Sequence, residues 1–302
     1  MYYRGRRMIR LIILLLFWRM DRMDELPKHP GPIGVFDSGY GGLTILDNIR
    51  KVLPQYDYLY LGDNARAPYG SRSFEVVYQF TRQAVRYLFE QGCHLVILAC
   101  NTASAKALRS IQQKDLPQWD PNRRVLGIIR PTVEGVGEVT RSGCVGLLGT
   151  EGTVQSESYP LEIKKVFPHI EVFSEACPMW VPLVENREYD KPGADYFVQQ
   201  HLNRLLSRSS RIDTVILGCT HYPLLGNKIR RYLPQQIQIM PQGEWVARSL
   251  QDYLRRHPEI AARCTQGGRC QFLTTESERK FSEMASIFLR TKIESIKHIT
   301  ID

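Results

Sequence analysis

The sequence predicts an α/β protein: two doubly wound α/β domains with mainly parallel sheets, related by a pseudo-twofold axis, with a site at the domain interface. Three observations predict this. Short apolar runs of strand length alternate with amphipathic helical stretches, the mark of βαβ units and a parallel sheet. The apolar runs end in polar or glycine-rich turns, at the strand ends where open α/β sheets bind ligands. Two of the runs, VILACNT (96–102) and VILGCTH (215–221), nearly repeat each other half a chain apart.

The elements follow in order. IGVFDSGYGG (33–42) is an apolar run ending in a glycine turn, and LTILDNIRKVL (43–53) has helical spacing. YDYLYLGD (56–63) is a strand whose tyrosines read as core. SFEVVYQFTRQAVRYLFEQG (73–92) is a long amphipathic helix closed by Gly92. HLVILAC (94–100) is a strand and ASAKALRSIQQ (103–113) a helix. DLPQWDPNRR (115–124) reads as a loop that opens a second series with the strand and turn RVLGIIRP (124–131). Then come the strand and glycine turn GCVGLLGTEGTV (143–154), a helix in SESYPLEIKKVF (156–167), the strand HIEVFSEAC (169–177), the helix YFVQQHLNRLLSR (196–208) and the strand DTVILGC (213–219). The tail alternates again: QIQIM (236–240), a helix from about Glu244 to His257, CQFLTT (270–275) and the helix SERKFSEMASIFLR (277–290). Asp37 stands 63 residues before Cys100, and Thr150 stands 69 before Cys219, so the halves repeat loosely. The expected division is 32–125 plus 240–302 for the first domain and 126–239 for the second.

At 302 residues, with 43% hydrophobic and 24% charged residues, the chain reads as globular rather than disordered. The net charge of +9 suggests nucleic acid until it is located: residues 1–30 carry +4 of it, and the remaining basic residues are scattered. The apolar run Leu11–Trp18 is eight residues, against the ~20 that span a bilayer, and no small-residue cleavage site follows. Residues 1–31 therefore read as an extension outside the fold, with Met20 and Met23 as alternative starts. A targeting or membrane-surface segment is the rival reading. Seven cysteines, an odd number lying in or beside apolar runs, fit free thiols in a reducing cytoplasm better than a disulfide framework.

Cys93, Cys144, Cys177, Cys264 and Cys270 read as small core residues. Cys100 and Cys219 differ, because polar residues and a helix start follow each. Asn101 and Thr102, or Thr220 and His221, would then lie at a helix N-terminus, where free N–H groups favour a thiolate. Three chemistries compete. A metal site on Cys219 and His221 has no Cys-x-x-Cys partner and is a weak signal. A Cys–His nucleophile leaves Cys100 unexplained. Two acid–base thiols facing one carbon explain both: one removes a proton from one face, the other returns a proton to the opposite face, and the stereocentre inverts.

At this point the motifs resemble a known family. IGVFDSGYGGLT (33–44), YLGDNARAPYG (60–70), ACNTASA (99–105), LLGTEGTVQS (147–156), CPMWVPLVE (177–185) and LGCTHYPLL (217–225) are similar, in this order, to the cofactor-independent glutamate racemases of bacterial cell-wall synthesis, within the aspartate/glutamate racemase family. FLTTESERKFSEMA (272–285) also looks like the family's end. The aspartate racemases share the two-cysteine plan but tend to carry Glu where His221 stands, so glutamate is the expected substrate.

The resemblance implies that Cys100 takes the proton from D-glutamate and Cys219 from L-glutamate. It implies that Asp37 assists Cys100, and that Glu185 and His221 assist Cys219. It also implies that Asp37, Ser38, Tyr69, Gly70, Asn101, Thr102, Thr150, Thr153, Thr220 and His221 hold the substrate. A dianionic substrate with one ammonium needs many N–H and O–H donors, and donors aimed at the α-carboxylate stabilise the carbanion. No cofactor or metal is required. The implied partners are the small-molecule substrate and a second copy of the chain, with no nucleic acid or membrane; the implied role is D-glutamate supply for peptidoglycan.

Blander readings stand beside these. Asp37 suits a helix cap, Glu185 a solvated charge, His221 a packed turn, and Asp63 with Arg66 a structural pair presenting Tyr69 and Gly70. Arg130, in IRPTVEG (129–135), stands where many relatives have a carboxylate. An aspartate racemase and a two-domain dicarboxylate-binding protein without turnover are the alternatives.

Overall fold

A computed structural model describes residues 26–301 other than 290, 292 and 294. Among the described residues, ten strands form two sheets, and every pairing of these strands is parallel. The strands are β1 (Ile33–Asp37), β2 (Tyr58–Gly62), β3 (Leu95–Leu98), β4 (Arg124–Gly127), β5 (Cys144–Gly149), β6 (Glu171–Ala176), β7 (Thr214–Gly218), β8 (Gln238–Met240), β9 (Cys270–Thr274) and β10 (Ile296–His298). The larger sheet runs β10-β9-β2-β1-β3-β4 and the smaller β6-β5-β7-β8. The order β2-β1-β3-β4 recurs as β6-β5-β7-β8, which is the structural form of the sequence repeat.

The local reasons are conventional. β1, β2, β3, β5 and β7 are buried along their whole length, as strands covered on both faces must be. Helix α1 (Gly42–Val52) buries Leu43, Leu46 and Ile49, three residues apart on one face. Helix α2 (Phe74–Glu90) starts at Ser73, whose Oγ accepts the Val76 N–H at 3.3 Å. It stops before Gly92, whose φ of +91° favours glycine. Helix α3 is Asn101–Lys106, directly after Cys100.

Four departures from the sequence reading have clear causes. First, β4 pairs with β3 in the larger sheet rather than opening the second series. Second, helical turns continue past Gln113 to Trp119, because the Trp119 ring packs edge-on against Phe89 at 6.1 Å. Third, Ile129–Val139 is a helix, α4, despite Pro131 and two glycines. Pro131 falls in the first turn, where no N–H is needed, and Gly135 leaves room for the Trp245 ring, 2.4 Å from where its Cβ would be. Fourth, residues 26–31 belong to the fold. Leu26 is buried, the His29 carbonyl lies 2.9 Å from His94 Nε2, and Gly31 bridges to Cys264. Arg123 explains this: its guanidinium is fully buried and is satisfied by the carbonyls of Pro27, Phe89 and Cys93. The extension proper, residues 1–25, lies outside the described residues.

In the second half, α5 (Ser158–Val166), α6 (Trp180–Glu185) and α7 (Pro192–Leu206) flank the smaller sheet. Helix α8 (Gln242–Arg256) leaves that sheet and packs Val246, Ala247 and Leu250 back towards α1. β9 then joins β2, and α9 (Glu278–Leu289) closes against α1. The chain thus crosses between the sheets twice, through α4 and through α8. No helix among the described residues is long and apolar enough to cross a membrane.

Candidate active site

The turns after β1, β3, β5 and β7 open on one cavity of about 120 Å³. From the larger sheet come Ser38, Tyr69, Gly70, Cys100, Asn101 and Thr102. From the smaller come Thr150, Cys177, Glu185, Cys219, Thr220 and His221. The equivalent strands β3 and β7 each deliver one thiol, and each cysteine is only 6% exposed.

The two thiols are held by different devices. Cys100 is itself the N-cap of α3: its Sγ accepts the Ala103 N–H at 3.4 Å and lies 3.2 Å from Ser38 Oγ. Burial pushes the Cys100 thiol up to about 12; the Asp37 carboxylate adds to this, and the Ser38 and Ala103 hydrogen bonds oppose it. Cys219 is followed by a 3₁₀ turn, Tyr222–Leu225, rather than directly by an α-helix, because Pro223 starts the turn. Its partner is His221 Nδ1, 3.9 Å from Sγ, and His221 Nε2 lies 3.1 Å from Glu185 Oε1. Burial pulls His221 down, but the hydrogen bonds and charges of Cys219 and Glu185 together outweigh it and raise the imidazole to about 10. The edge-on Phe288 ring, 5.5 Å away, closes the other face of the imidazole.

Asp37 does not line the cavity. It stands behind Ser38, fully buried, accepting the Gly39 N–H at 2.7 Å. Burial raises its carboxyl, against the favourable charge of His221 and the N–H groups of Gly39 and Gly42. Thr220 Oγ1 lies 3.5 Å from Asp37 Oδ2. The expected split, Asp37 on one wall and Glu185 with His221 on the other, is therefore not clean: Asp37 faces the charge of both walls. Gly41 lets the walls meet, since a Cβ there would lie 2.3 Å from Thr220 Oγ1 and 2.7 Å from His221 Nδ1.

The remaining predicted residues form a polar rim and floor. Thr102 Oγ1 and Thr150 Oγ1 are 2.9 Å apart, and Thr153, behind the lining, lies 3.1 Å from Thr150 Oγ1. The Gly152 N–H donates to the Gly70 carbonyl at 2.7 Å, joining the segment after β5 to the segment after β2. Asp63 accepts from Arg66 Nε at 2.7 Å and from the Tyr69 hydroxyl, so the pair read as structural does hold Tyr69 in place. Arg130 lies away from this cavity, paired with Glu134 and Glu162.

Cys177 is a core residue, as the sequence suggests, fully buried, and it also lines the cavity with Val181 and Glu185. The signal was their spacing of four, which puts all three on one side of α6 and the turn before it. Ala67, Pro68, Ser71, Glu151, Pro178 and Pro182 also line the cavity and were not singled out.

Residues 43–248 match the family model described as Asp/Glu/Hydantoin racemase. The glutamate racemase of Ruegeria sp. (strain TM1040) is 40% identical over 271 residues, covering 86% of this chain and 97% of that protein. Among solved structures, glutamate racemase isoform RacE1 from Bacillus anthracis is 34% identical with a TM-score of 0.81, over 89% of this chain and 97% of that one. The glutamate racemase from Francisella tularensis, solved in complex with D-glutamate, is 30% identical with a TM-score of 0.80, over 90% and 98%. With the fold, the facing thiols and these likenesses together, the chain belongs to the Asp/Glu/hydantoin racemase family, and its chemistry is that of an isomerase.

Proposed function

We propose that the protein interconverts L- and D-glutamate by moving a proton on and off the α-carbon between Cys219 and Cys100, and so supplies D-glutamate for peptidoglycan. One observation carries this reading: two buried thiols from equivalent strand ends line the same cavity. The names of the relatives and the D-glutamate in the Francisella tularensis complex support glutamate as the substrate.

Each thiol would act in turn. A thiolate removes the α-proton, the electron pair stays on the α-carbon and its carboxylate, and the opposite thiol donates its proton to the other face. The reverse direction exchanges the roles. Burial pushes the Cys100 thiol up to about 12, and the His221 imidazole, raised to about 10, lies beside Cys219. Backbone and hydroxyl donors of Ser38, Asn101, Thr102, Thr150 and Thr220 would hold the carboxylates, with Tyr69 and Gly70 shaping the wall and Thr153 bracing Thr150. Asp37 and Glu185 would balance the substrate ammonium and His221. Two domains, one on the larger sheet with the whole of β4 and one on the smaller sheet with the whole of β8, a homodimer, no cofactor and a cytoplasmic location complete the reading.

Incubation of the protein with D-glutamate in deuterated water, without added cofactor, is expected to give L-glutamate carrying deuterium at the α-carbon. An unchanged optical signal would sink the proposal. Binding of glutamate without turnover would favour a dicarboxylate-binding protein, and faster turnover of aspartate would favour the sister activity.

A pH prediction follows from His221. Its folded value, about 10, lies above the ordinary imidazole value of about 6.5. The stability it contributes is therefore fully present below pH 6.5 and is lost as pH rises through about 10. The wild-type Tm is expected to fall more between pH 7 and 10 than that of His221→Gln. Parallel Tm curves for the two proteins would contradict the charged imidazole.

A further inference from the structure

Behind Asn101 lies a ring of polar side chains that neither Cys100 nor Cys219 enters. Asn101 at the start of α3, Thr132 in α4, Tyr159 in α5 and Gln242 at the start of α8 supply it, and all four are buried. Asn101 follows a strand of the larger sheet, and Tyr159 lies on a helix of the smaller. Thr132 and Gln242 sit on the two segments by which the chain crosses between the sheets. The amides of Asn101 and Gln242 lie head to tail: Asn101 Nδ2 donates to Gln242 Oε1 at 2.6 Å, and Gln242 Nε2 is 3.1 Å from Asn101 Oδ1. Gln242 Nε2 also lies 2.6 Å from Tyr159 Oη and 3.0 Å from Thr132 Oγ1, and Tyr159 Oη donates to Asn101 Oδ1 at 2.7 Å.

Two paired amides and a hydroxyl can close such a ring with both amides turned end for end. Thr132 removes that freedom. Its hydroxyl has one hydrogen and gives it to the Ile128 carbonyl at 2.7 Å, so it can only accept from Gln242. The amino end of Gln242 must then face Thr132, which turns Oε1 towards Asn101. Asn101 must in turn point its amino group at Gln242 and its carbonyl at Tyr159. Of the two hydrogens on Asn101 Nδ2, Gln242 takes one and the other is left for the cavity that Asn101 lines. A reversed Asn101 would offer an acceptor where an anionic substrate needs a donor.

We infer that Thr132 and Gln242 are positioning residues, a relay that fixes the orientation of the Asn101 amide so that it donates to a substrate carboxylate. The inference rests on the proposed glutamate racemisation. Steady-state kinetics of the full chain test it. A donor that serves ground and transition states alike affects KM and leaves kcat. Thr132→Val, isosteric but without the hydroxyl, is expected to raise KM for glutamate about tenfold, the scale of one hydrogen bond to a charged group, with kcat within about threefold. Thr132→Ser is expected to restore KM to near the wild-type value. Gln242→Met is expected to match Thr132→Val, and the double variant to be no worse than Gln242→Met, because both act on one chain of contacts. A wild-type KM in Thr132→Val or in Gln242→Met overturns the relay, and so does a Thr132→Ser as impaired as Thr132→Val. A wild-type protein that does not interconvert glutamate overturns the functional reading instead.

Discussion

Cys100→Ala and Cys219→Ala are each expected to lose racemisation in both directions by about 10⁴-fold, the upper range of what one positioned acid or base contributes. The reasoning is geometric. Inversion needs a proton removed on one face and returned on the other, and the reverse reaction uses the same two groups with their roles exchanged. Deleting either thiol therefore blocks both directions, and neither Ser38 nor His221 can substitute at the carbon. Optical rotation of glutamate followed from each enantiomer measures it. Cys264→Ala, which removes a buried thiol bonded only to the Ile260 carbonyl, serves as the control and should turn over normally. Near-normal turnover by either active-site variant would refute the two-base scheme.

Gly41→Ala is expected to give the second largest effect, although Gly41 carries no functional group. The added methyl would lie 2.3 Å from Thr220 Oγ1, 2.7 Å from His221 Nδ1 and 2.8 Å from the Thr220 carbonyl carbon. Backbone cannot yield cheaply, so the wall bearing Cys219 must shift. Misplacement of about 1 Å costs on the order of 10²-fold in rate, and overpacking of this kind costs about 1–3 kcal/mol in stability. Gly193→Ala, where the methyl meets open space, should leave rate and Tm close to wild type. Turnover matching wild type in Gly41→Ala would show that the walls do not depend on this contact.

The sequence was most legible where one residue type had one physical reason to be present. Short apolar runs closed by polar or glycine turns read as buried strands, and β1, β3, β5 and β7 were found with the right turns at their ends. Cys100 and Cys219 stood out because two similar settings are harder to explain than one. Legibility failed where long-range partners decide. Nothing near Arg124 in the chain tells that β4 pairs with β3. The helix α4 is hidden by Pro131 and its glycines until the Trp245 ring is known to lie against Gly135. Cys177 looks like any core thiol, and is buried like one, until the turn after β6 is seen to border the cavity. Gln242 sits 141 residues from Asn101, and no local pattern connects them. Asp37 was placed correctly at its strand end, but its contact with Thr220 belongs to the meeting of the two sheets.

Two chain crossings rather than one join the sheets, and this limits how the cavity can be reached. Both thiols are nearly closed off from solvent, each only 6% exposed. A single tether would let one half twist, slide or swing. Two tethers act as a pair of hinge pins, and the line between them is the axis about which a swing costs least. The ring joining Thr132, Gln242, Asn101 and Tyr159 lies at those pins, where the displacement of a swinging leaf is smallest. The side chains nearest the two crossings are thus the ones that a swing of the two halves would disturb least.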